Sequence, residues 1–324
     1  MALFDLPAAQ LETYRSLSGP PADFDRFWTE TLQEARRMSW PAVFARVDNG
    51  LQLVETYDVT FAGFGGDPIR GWLHIPRGER TLGAVVQFIG YGGGRGHAHE
   101  IHAWPLAGYA HFVMDTRGQG WKHAGMGETP DPHGSGPAAP GLVSRGIEDP
   151  ASYYYRRLYT DAVLAVDVVR SHPLIDGARI AVTGRSQGGG TAIAAAALAD
   201  GIAVAMPDVP FLCDIPRGMT LTDSHPYSEI VEYLAGHRAS AERIARTLSY
   251  FDGVHFAARA RPNALFSVAL MDRTCPPSTV YAARNAWKSS AEIVTYPFNQ
   301  HEGGGAAHRR VQLDWLKGKF RNAE

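Results

Sequence analysis

The sequence predicts an α/β fold in which a mostly parallel central sheet is flanked by helices. Two observations predict it. Short apolar segments rich in β-branched residues alternate with segments of helical periodicity, which is typical of parallel strands joined by crossover helices. One strand-to-helix junction, residues 184–188, is a sharp glycine-rich turn between an apolar run and an alanine-rich stretch. The chain has 324 residues, 45% of them hydrophobic, so it can bury a large core as one domain, 1–324.

The elements follow in chain order. Residues 1–45 are predicted to form a helical extension, in which 23–38 carries Phe24, Phe27 and Trp28 at helical spacing. Apolar runs between turn signals predict the strands 51–61, 69–75, 83–89, 111–115, 179–183, 202–206, 264–270 and 292–296. The other predicted helices are 152–171, 189–199 and 306–320.

Two segments interrupt this alternation. Residues 123–150 are rich in glycine and proline and predict a long loop, and loops of this length usually carry function or move. Residues 211–256 have helical patterns, and we expect them to form an insertion over the active site.

Composition and charge exclude several classes of partner. The net charge is −2, from 31 basic and 33 acidic residues, which argues against nucleic acid or an anionic membrane as a partner. The N-terminus has no basic start followed by an apolar core, and no window approaches 18 apolar residues, so we expect a soluble cytoplasmic protein. In that compartment Cys213 and Cys275 are expected to be free thiols, with a single disulfide as the alternative.

The glycine-rich turn carries the strongest chemical signal. Gly184-Arg-Ser186-Gln-Gly188 matches G-x-S-x-G, between the strand-like Ile180–Thr183 and the alanine-rich helix. In the α/β-hydrolase fold this motif places a serine on a strained turn, where the small flanking residues let the chain fold back. The following helix directs backbone N–H groups at a developing oxyanion. Ser186 is therefore the predicted nucleophile.

A serine nucleophile needs a base and an acid that orients the base, in the chain order serine, acid, histidine. Asp208 and Asp272 both follow strands, and we favour Asp272 because it follows the later strand and lies closer in sequence to the base. His301 lies between the last strand and the last helix, where a loop can carry it across the sheet edge, whereas His308 should lie inside that helix. Three further histidines fall in the insertion and are expected to be structural: His225, His237 and His255.

A second oxyanion donor should come from the loop after an early strand. That loop is Gly90-Tyr91-Gly92-Gly93-Gly94. We therefore expect the backbone N–H groups of Tyr91 and Gln187 to form the oxyanion hole. A simple tight turn is the alternative interpretation of these glycines.

Other classes of site fit less well. The glycine-rich loop fails the dinucleotide fingerprint G-x-G-x-x-G, because Arg95 or His97 stands at the sixth position. His97, His99 and His102 could ligate zinc in a metal-dependent hydrolase, but Ile101 occupies the place of the aspartate in the usual motif. A non-catalytic relative would be expected to lack one of the three catalytic residues, and all three are available here.

Four segments together resemble the acetyl xylan esterase and cephalosporin-C deacetylase family of carbohydrate esterases. The chain is similar to that family in its G-x-S-Q-G turn and in three further segments: Arg117-Gly-Gln119, Asp272-Arg-Thr-Cys-Pro-Pro-Ser278 and His301-Glu302. The order and spacing agree over essentially the whole chain. Two positions depart from the family pattern, since Ile89 precedes Gly90 where histidine is common, and Arg185 precedes the serine where a small residue is common.

The resemblance implies a serine esterase that removes acetyl groups from O-acetylated sugars and from cephalosporin C, without a metal or organic cofactor. It also implies an intracellular hexamer, and it implies that Arg117 and Gln119 support the active-site architecture. Because Arg185 stands beside the nucleophile, a general carboxylesterase acting on another small ester is the alternative.

Overall fold

A computed structural model describes residues 3–78, 81–101, 103–121, 125–134 and 136–321 of the protein. Within these ranges, nine strands form one sheet in the order β1-β2-β3-β5-β4-β6-β7-β8-β9. The strands are β1 (Val43–Val47), β2 (Val54–Ala62), β3 (Pro68–Pro76), β4 (Leu82–Phe88), β5 (Ala110–Met114), β6 (Ile175–Arg185), β7 (Ile202–Asp208), β8 (Asn263–Ala269) and β9 (Ala291–Tyr296).

Eleven α-helices lie within the same described ranges. They are α1 (Ala8–Leu11), α2 (Phe24–Arg37), α3 (Ala103–Leu106), α4 (Tyr154–Ser171), α5 (Gln187–Leu198), α6 (Ile215–Leu221), α7 (Tyr227–Gly236), α8 (Ala241–Ser249), α9 (Gly253–Ala257), α10 (Pro277–Ala286) and α11 (Gly305–Arg321). In this part of the chain, no helix is both long enough and apolar enough to cross a membrane.

The sheet has an antiparallel edge and a parallel centre. Strands β1, β2 and β3 pair antiparallel, and β3 pairs antiparallel with β5. From β5 through β4 and β6 to β9 every pairing is parallel. The carboxyl ends of β4, β6, β7, β8 and β9 therefore meet at one edge of the sheet, where ligands of α/β proteins usually bind.

Helices cover both faces of the parallel centre, as the alternation along β4 demonstrates. Val85 packs into a core with Trp104 of α3 and Leu316 of α11. Its neighbour Val86 packs into the larger core on the opposite face, which includes Ala165 of α4. Because both faces are buried, such a strand appears in the sequence as a continuous apolar run. The predicted fold class, a mostly parallel sheet flanked by helices, is confirmed.

Two parts of the structure differ from the sequence expectations. The helical extension predicted over 1–45 contains α1 and α2, but its last three residues belong to strand β1 at the edge of the sheet. Helix α10 was not predicted, because it begins in the proline-rich segment after Asp272 and is buried on most sides. The segment 211–256 contains α6, α7, α8 and most of α9.

Candidate active site

Ser186 occupies a strained turn between β6 and α5. Its φ is 60° and its ψ is −121°, a conformation that few L-residues adopt. The flanking glycines are required by crowding. A Cβ on Gly188 would lie 2.2 Å from the carbonyl oxygen of Phe88, and a Cβ on Gly184 would lie 2.4 Å from the backbone of Gly188. The backbone N–H of Ser186 donates to the carbonyl oxygen of Asp208 (2.9 Å), which joins the turn to β7.

Asp272 and His301 form a hydrogen-bonded pair at the same sheet edge. Nδ1 of His301 lies 2.8 Å from Oδ2 of Asp272, whose side chain is fully buried. The other oxygen, Oδ1, accepts the backbone N–H groups of Thr274 (2.8 Å) and Cys275 (3.0 Å). These bonds hold the carboxylate in place after β8, so that it can orient the imidazole carried by the loop after β9.

Cys275 connects this pair to the serine. Its Sγ lies within 4.8 Å of a ring nitrogen of His301 and a carboxylate oxygen of Asp272. Burial raises the pKa of the Cys275 thiol well above its usual value, and a hydrogen bond with Ser186 opposes that rise. The three residues predicted as nucleophile, base and orienting acid therefore all lie near one buried thiol. This position of Cys275 was not predicted, although the residue lies in the segment 272–278 that carries the predicted acid.

Asp272, Cys275 and His301 are also ligand types that zinc accepts. Oδ1 of Asp272 accepts a backbone N–H and Oδ2 lies 2.8 Å from Nδ1 of His301, an arrangement that suits an acid orienting a catalytic base. Of the other metal candidates, His97 and His99 stack with ring centroids 5.5 Å apart, and His102 lies outside the described residues.

The rival acid and the rival base pair with each other. Nε2 of His308 lies 2.9 Å from Oδ1 of Asp208, and the same oxygen accepts the side-chain amide of Gln312 (2.9 Å). The hydroxyl of Tyr296 is 3.0 Å from Nδ1 of His308. Asp208 and His308 thus serve as a buried junction between β7 and α11, while the backbone of Asp208 supports Ser186. The insertion histidines have other surroundings: His225 near Glu229, His237 stacked on Tyr233, and His255 buried near Ser18.

Gln119 links the two predicted oxyanion donors. The backbone N–H of Gly92 donates to Oε1 of Gln119 (2.6 Å), and Nε2 of Gln119 donates to Oε1 of Gln187 (2.9 Å). The Gln187 side chain in turn donates to the carbonyl oxygen of Ile89 (3.2 Å). The loop containing Tyr91 is therefore bound to the first residue of α5. The first amides of a helix have no acceptor within the helix and carry its positive dipole end, which suits an oxyanion.

Arg117 lies at the centre of a buried ion network. Its guanidinium donates to both oxygens of Asp161 (2.6 and 2.8 Å) and to Asp67 (3.0 Å) and Asp131 (3.3 Å). Burial alone would lower the pKa of Arg117, but the carboxylates, Asp161 foremost, raise it above its ordinary value. Because Asp131 also binds Arg157 (2.7 Å), the network holds the long loop predicted over 123–150 at Asp131.

A strained serine at the carboxyl edge of a parallel sheet, beside a hydrogen-bonded aspartate–histidine pair, defines a protein of the α/β-hydrolase fold. A solved acetyl xylan esterase from Paenibacillus sp. R4 superposes with a TM-score of 0.91 at 36% identity, over 97% of this chain and 99% of that one. Acetyl xylan esterase 1 from Thermoanaerobacterium sp. JW/SL YS485 gives a TM-score of 0.89 at 30% identity, over 97% and 99%. An acylaminoacyl peptidase from Pyrococcus horikoshii, 16% identical with a TM-score of 0.60, shares the fold alone, over 84% of this chain and 42% of that one.

A family model described as acetyl xylan esterase (AXE1) matches residues 1–319. The chain therefore belongs to the acetyl xylan esterase family, a family of carboxylic ester hydrolases, and the resemblance seen in the sequence is confirmed. Acetyl esterase Axe7A of Xylanibacter ruminicola is 27% identical over 178 residues. That match covers 55% of this chain and 39% of the relative, so the chain spans less than half of that protein's length.

Proposed function

We propose that the protein is a serine esterase that removes acetyl groups from O-acetylated sugars. The observation that carries the proposal is the Asp272–His301 pair, 2.8 Å apart, which lies within 4.8 Å of the Cys275 thiol, itself hydrogen-bonded with Ser186. Membership of the acetyl xylan esterase family supports the choice of an acetylated sugar as the substrate class. Arg117 and Gln119 act as support for the site, through the ion network and the oxyanion loop respectively.

The proposed reaction follows from the positions of these groups. His301, oriented by Asp272, removes the hydroxyl proton of Ser186 as the oxygen attacks the ester carbonyl carbon. The oxyanion accepts hydrogen bonds from the N–H groups of Tyr91 and Gln187, and losing one such donor typically costs about 10²–10³ in turnover. As the tetrahedral intermediate collapses, the bond between the carbonyl carbon and the sugar oxygen breaks, and His301 gives the proton to that oxygen, which leaves as a sugar hydroxyl. Water activated by His301 finally releases acetate from the acetyl-enzyme.

The test replaces the nucleophile in a protein that still folds. Ser186→Ala should abolish turnover of p-nitrophenyl acetate and acetylated xylo-oligosaccharide, whereas Ser171→Ala, an exposed serine on α4, should behave as the wild type. Asp272→Asn should lower kcat by about 10²–10⁴, because the imidazole loses its orienting acceptor. Full residual turnover in Ser186→Ala would end the serine mechanism, and loss of wild-type activity with a chelator would favour a metal-dependent hydrolase instead.

A panel of substrates separates the acetylesterase from a general carboxylesterase. We expect the rate to fall along p-nitrophenyl esters from acetate to octanoate, and we propose cephalosporin C as a second substrate on the strength of the family resemblance. A preference for octanoate would identify a general carboxylesterase. This alternative is tested because Arg185, an exposed cation beside the nucleophile, stands where the family commonly has a small residue.

Three further proposals rest on the sequence and the family. We propose a single catalytic domain over 1–324 with an N-terminal extension, 1–45, and an insertion, 211–256. We also propose a hexamer located in the cytoplasm. Light scattering of the purified protein tests the assembly, and a mass corresponding to one 35.2 kDa chain would exclude it.

A further inference from the structure

We propose that Glu229, on insertion helix α7, is a positioning residue that holds the oxyanion loop through the hydroxyl of Tyr91. This inference rests on the proposed function, because it concerns the loop whose backbone is assigned to the oxyanion hole. Glu229 belongs to no motif, and it lies 138 residues from Tyr91 in the chain.

Hydrogen bonding defines the direction of this contact. A tyrosine hydroxyl has one hydrogen to donate and two lone pairs to accept with. The backbone N–H groups of Leu142 and Val143 both donate to the Tyr91 oxygen, the latter at 3.2 Å. The hydroxyl hydrogen is therefore directed at Oε2 of Glu229, 2.8 Å away. Burial, followed by the charge of Glu229, raises the pKa of Tyr91, so the phenol keeps the proton that this bond needs.

Glu229 is buried at this junction. The residue is only 4% exposed, and burial raises the pKa of its carboxyl, while the hydrogen bond from Tyr91 and the nearby His225 oppose the rise. Its second oxygen, Oε1, lies 3.7 Å from Nδ1 of His225, an exposed side chain. Placing a carboxylate in such a site is costly unless it accepts a specific hydrogen bond. The Tyr91 hydroxyl supplies that bond.

The long loop packs directly against Tyr91 and Glu229. Gly141 has a φ of +120°, and a Cβ at this position would lie 2.1 Å from Oε2 of Glu229 and 2.5 Å from the Tyr91 hydroxyl. Three segments, the oxyanion loop, the long loop and helix α7, thus converge on one phenol. The next residue of the oxyanion loop, Gly92, is held separately by Gln119. The Tyr91 peptide is consequently restrained from its side chain and from its neighbour.

This restraint should matter most in the transition state. Oxyanion donors help catalysis only when they are already directed at the developing charge, so a loosened Tyr91 should lower kcat more than it changes KM. If Glu229 had only a role in folding, its loss would lower the stability of the protein without lowering kcat more than it changes KM. Glu229 then gives the insertion a positioning role at the oxyanion loop, in addition to any role the insertion has in covering the site.

The experiment is a double-mutant cycle on the full-length protein with p-nitrophenyl acetate. We expect Glu229→Leu and Tyr91→Phe each to lower kcat by roughly 10- to 100-fold, less than the roughly 10²–10³ lost when an oxyanion donor is removed outright, with KM changed less than about threefold. Tyr91→Phe/Glu229→Leu should be no worse than either single variant, because both remove the same bond. Glu229→Gln should stay close to wild type, since its amide oxygen still accepts the phenol. Tyr233→Phe, which removes a different bond from α7 to Glu148, is the matched control and should leave kcat unchanged.

Additive losses in the double variant, or wild-type kcat in folded Glu229→Leu, would overturn the inference. If Glu229→Leu does not fold, the Tyr91→Phe and Glu229→Gln variants test the inference in its place. A Tyr91→Phe enzyme with wild-type kcat would also overturn it. The Ser186→Ala variant separates this failure from failure of the proposed function. An inactive Ser186→Ala enzyme together with an unaffected Glu229→Leu enzyme rejects only the positioning role, whereas an active Ser186→Ala enzyme rejects the esterase mechanism itself.

Discussion

Replacement of Arg117 by methionine should destabilise the whole protein. The guanidinium is fully buried and makes two short bonds to Asp161, with further bonds to Asp67 and Asp131. Methionine has a similar length but no charge and no donor. Arg117→Met therefore leaves the Asp161 carboxylate, which has no exposed surface, with the backbone N–H of Phe64 as its remaining hydrogen bond among those described.

The size of the effect follows from burial. Removing one partner of a buried ion pair typically costs about 3–5 kcal/mol, because the remaining charge loses its compensation. A loss of 1 kcal/mol lowers Tm by about 2–4 °C in domains of 150–250 residues, and by less in a longer chain. At about 2.1 cal/mol/K of unfolding entropy per residue, a chain of 324 residues loses roughly 1.5 °C per kcal/mol, so the expected decrease is roughly 4–7 °C.

Thermal unfolding followed by circular dichroism at pH 7.5 measures this decrease. Arg310→Met is the matched control, since Arg310 and its partner Asp314 are both largely exposed, and its Tm should equal that of the wild type. Arg117→Met/Asp161→Leu, which removes both charges of the strongest pair, should recover much of the lost stability. A Tm for Arg117→Met within 2 °C of the wild type would refute the reasoning that the network is a structural necessity.

Two smaller changes test the site and the core. Gln119→Leu removes the acceptor of the Gly92 N–H and should lower kcat for p-nitrophenyl acetate by about 10- to 100-fold. An unchanged kcat would contradict this prediction. Burial, aided by Arg259, lowers the pKa of His255 to about 4, below the ordinary value, so the unfolded chain binds more protons as the pH falls from about 6.5 to 4. The free energy of unfolding should therefore decrease in that window, by about 2 kcal/mol at pH 5 relative to pH 8. His255→Leu should remove that part of the pH dependence of Tm. The same pH dependence of Tm in the variant and the wild type would contradict the assignment to His255.

The parallel centre of the fold was predictable because burial on both faces leaves an unbroken apolar run. Strand β4 has this character, and its neighbours Val85 and Val86 point into different cores. Strand β1 has no such apolar run, because it lies at the sheet edge with every residue exposed or half-buried. Helix α10 was missed for the opposite reason, since a helix buried on most sides has no polar stripe and hence no helical periodicity.

The choice of acid could not be derived from strand order alone. Asp208 is the last residue of β7 and Asp272 follows the end of the neighbouring parallel strand β8, so both lie at the same edge of the sheet. What separates them is the position of the histidines, because His308 faces Asp208 and His301 faces Asp272. His301 and His308 are only seven residues apart, and although local sequence assigns one to a loop and the other to a helix, it does not give the strand end that each side chain approaches.

The segment Arg117-Gly-Gln119 illustrates the same limit within a single motif. Its two polar side chains have separate tasks, since Arg117 binds the carboxylates that fix the long loop, whereas Gln119 binds the oxyanion loop and Gln187. The sequence identifies such a motif as important but leaves its partners undefined, because they are distant in the chain: Asp161 and Gln187 lie 44 and 68 residues after the residues that bind them. Glu229 is the extreme case: its partner is distant and no motif marks it, so only the folded arrangement of the three converging segments reveals the contact.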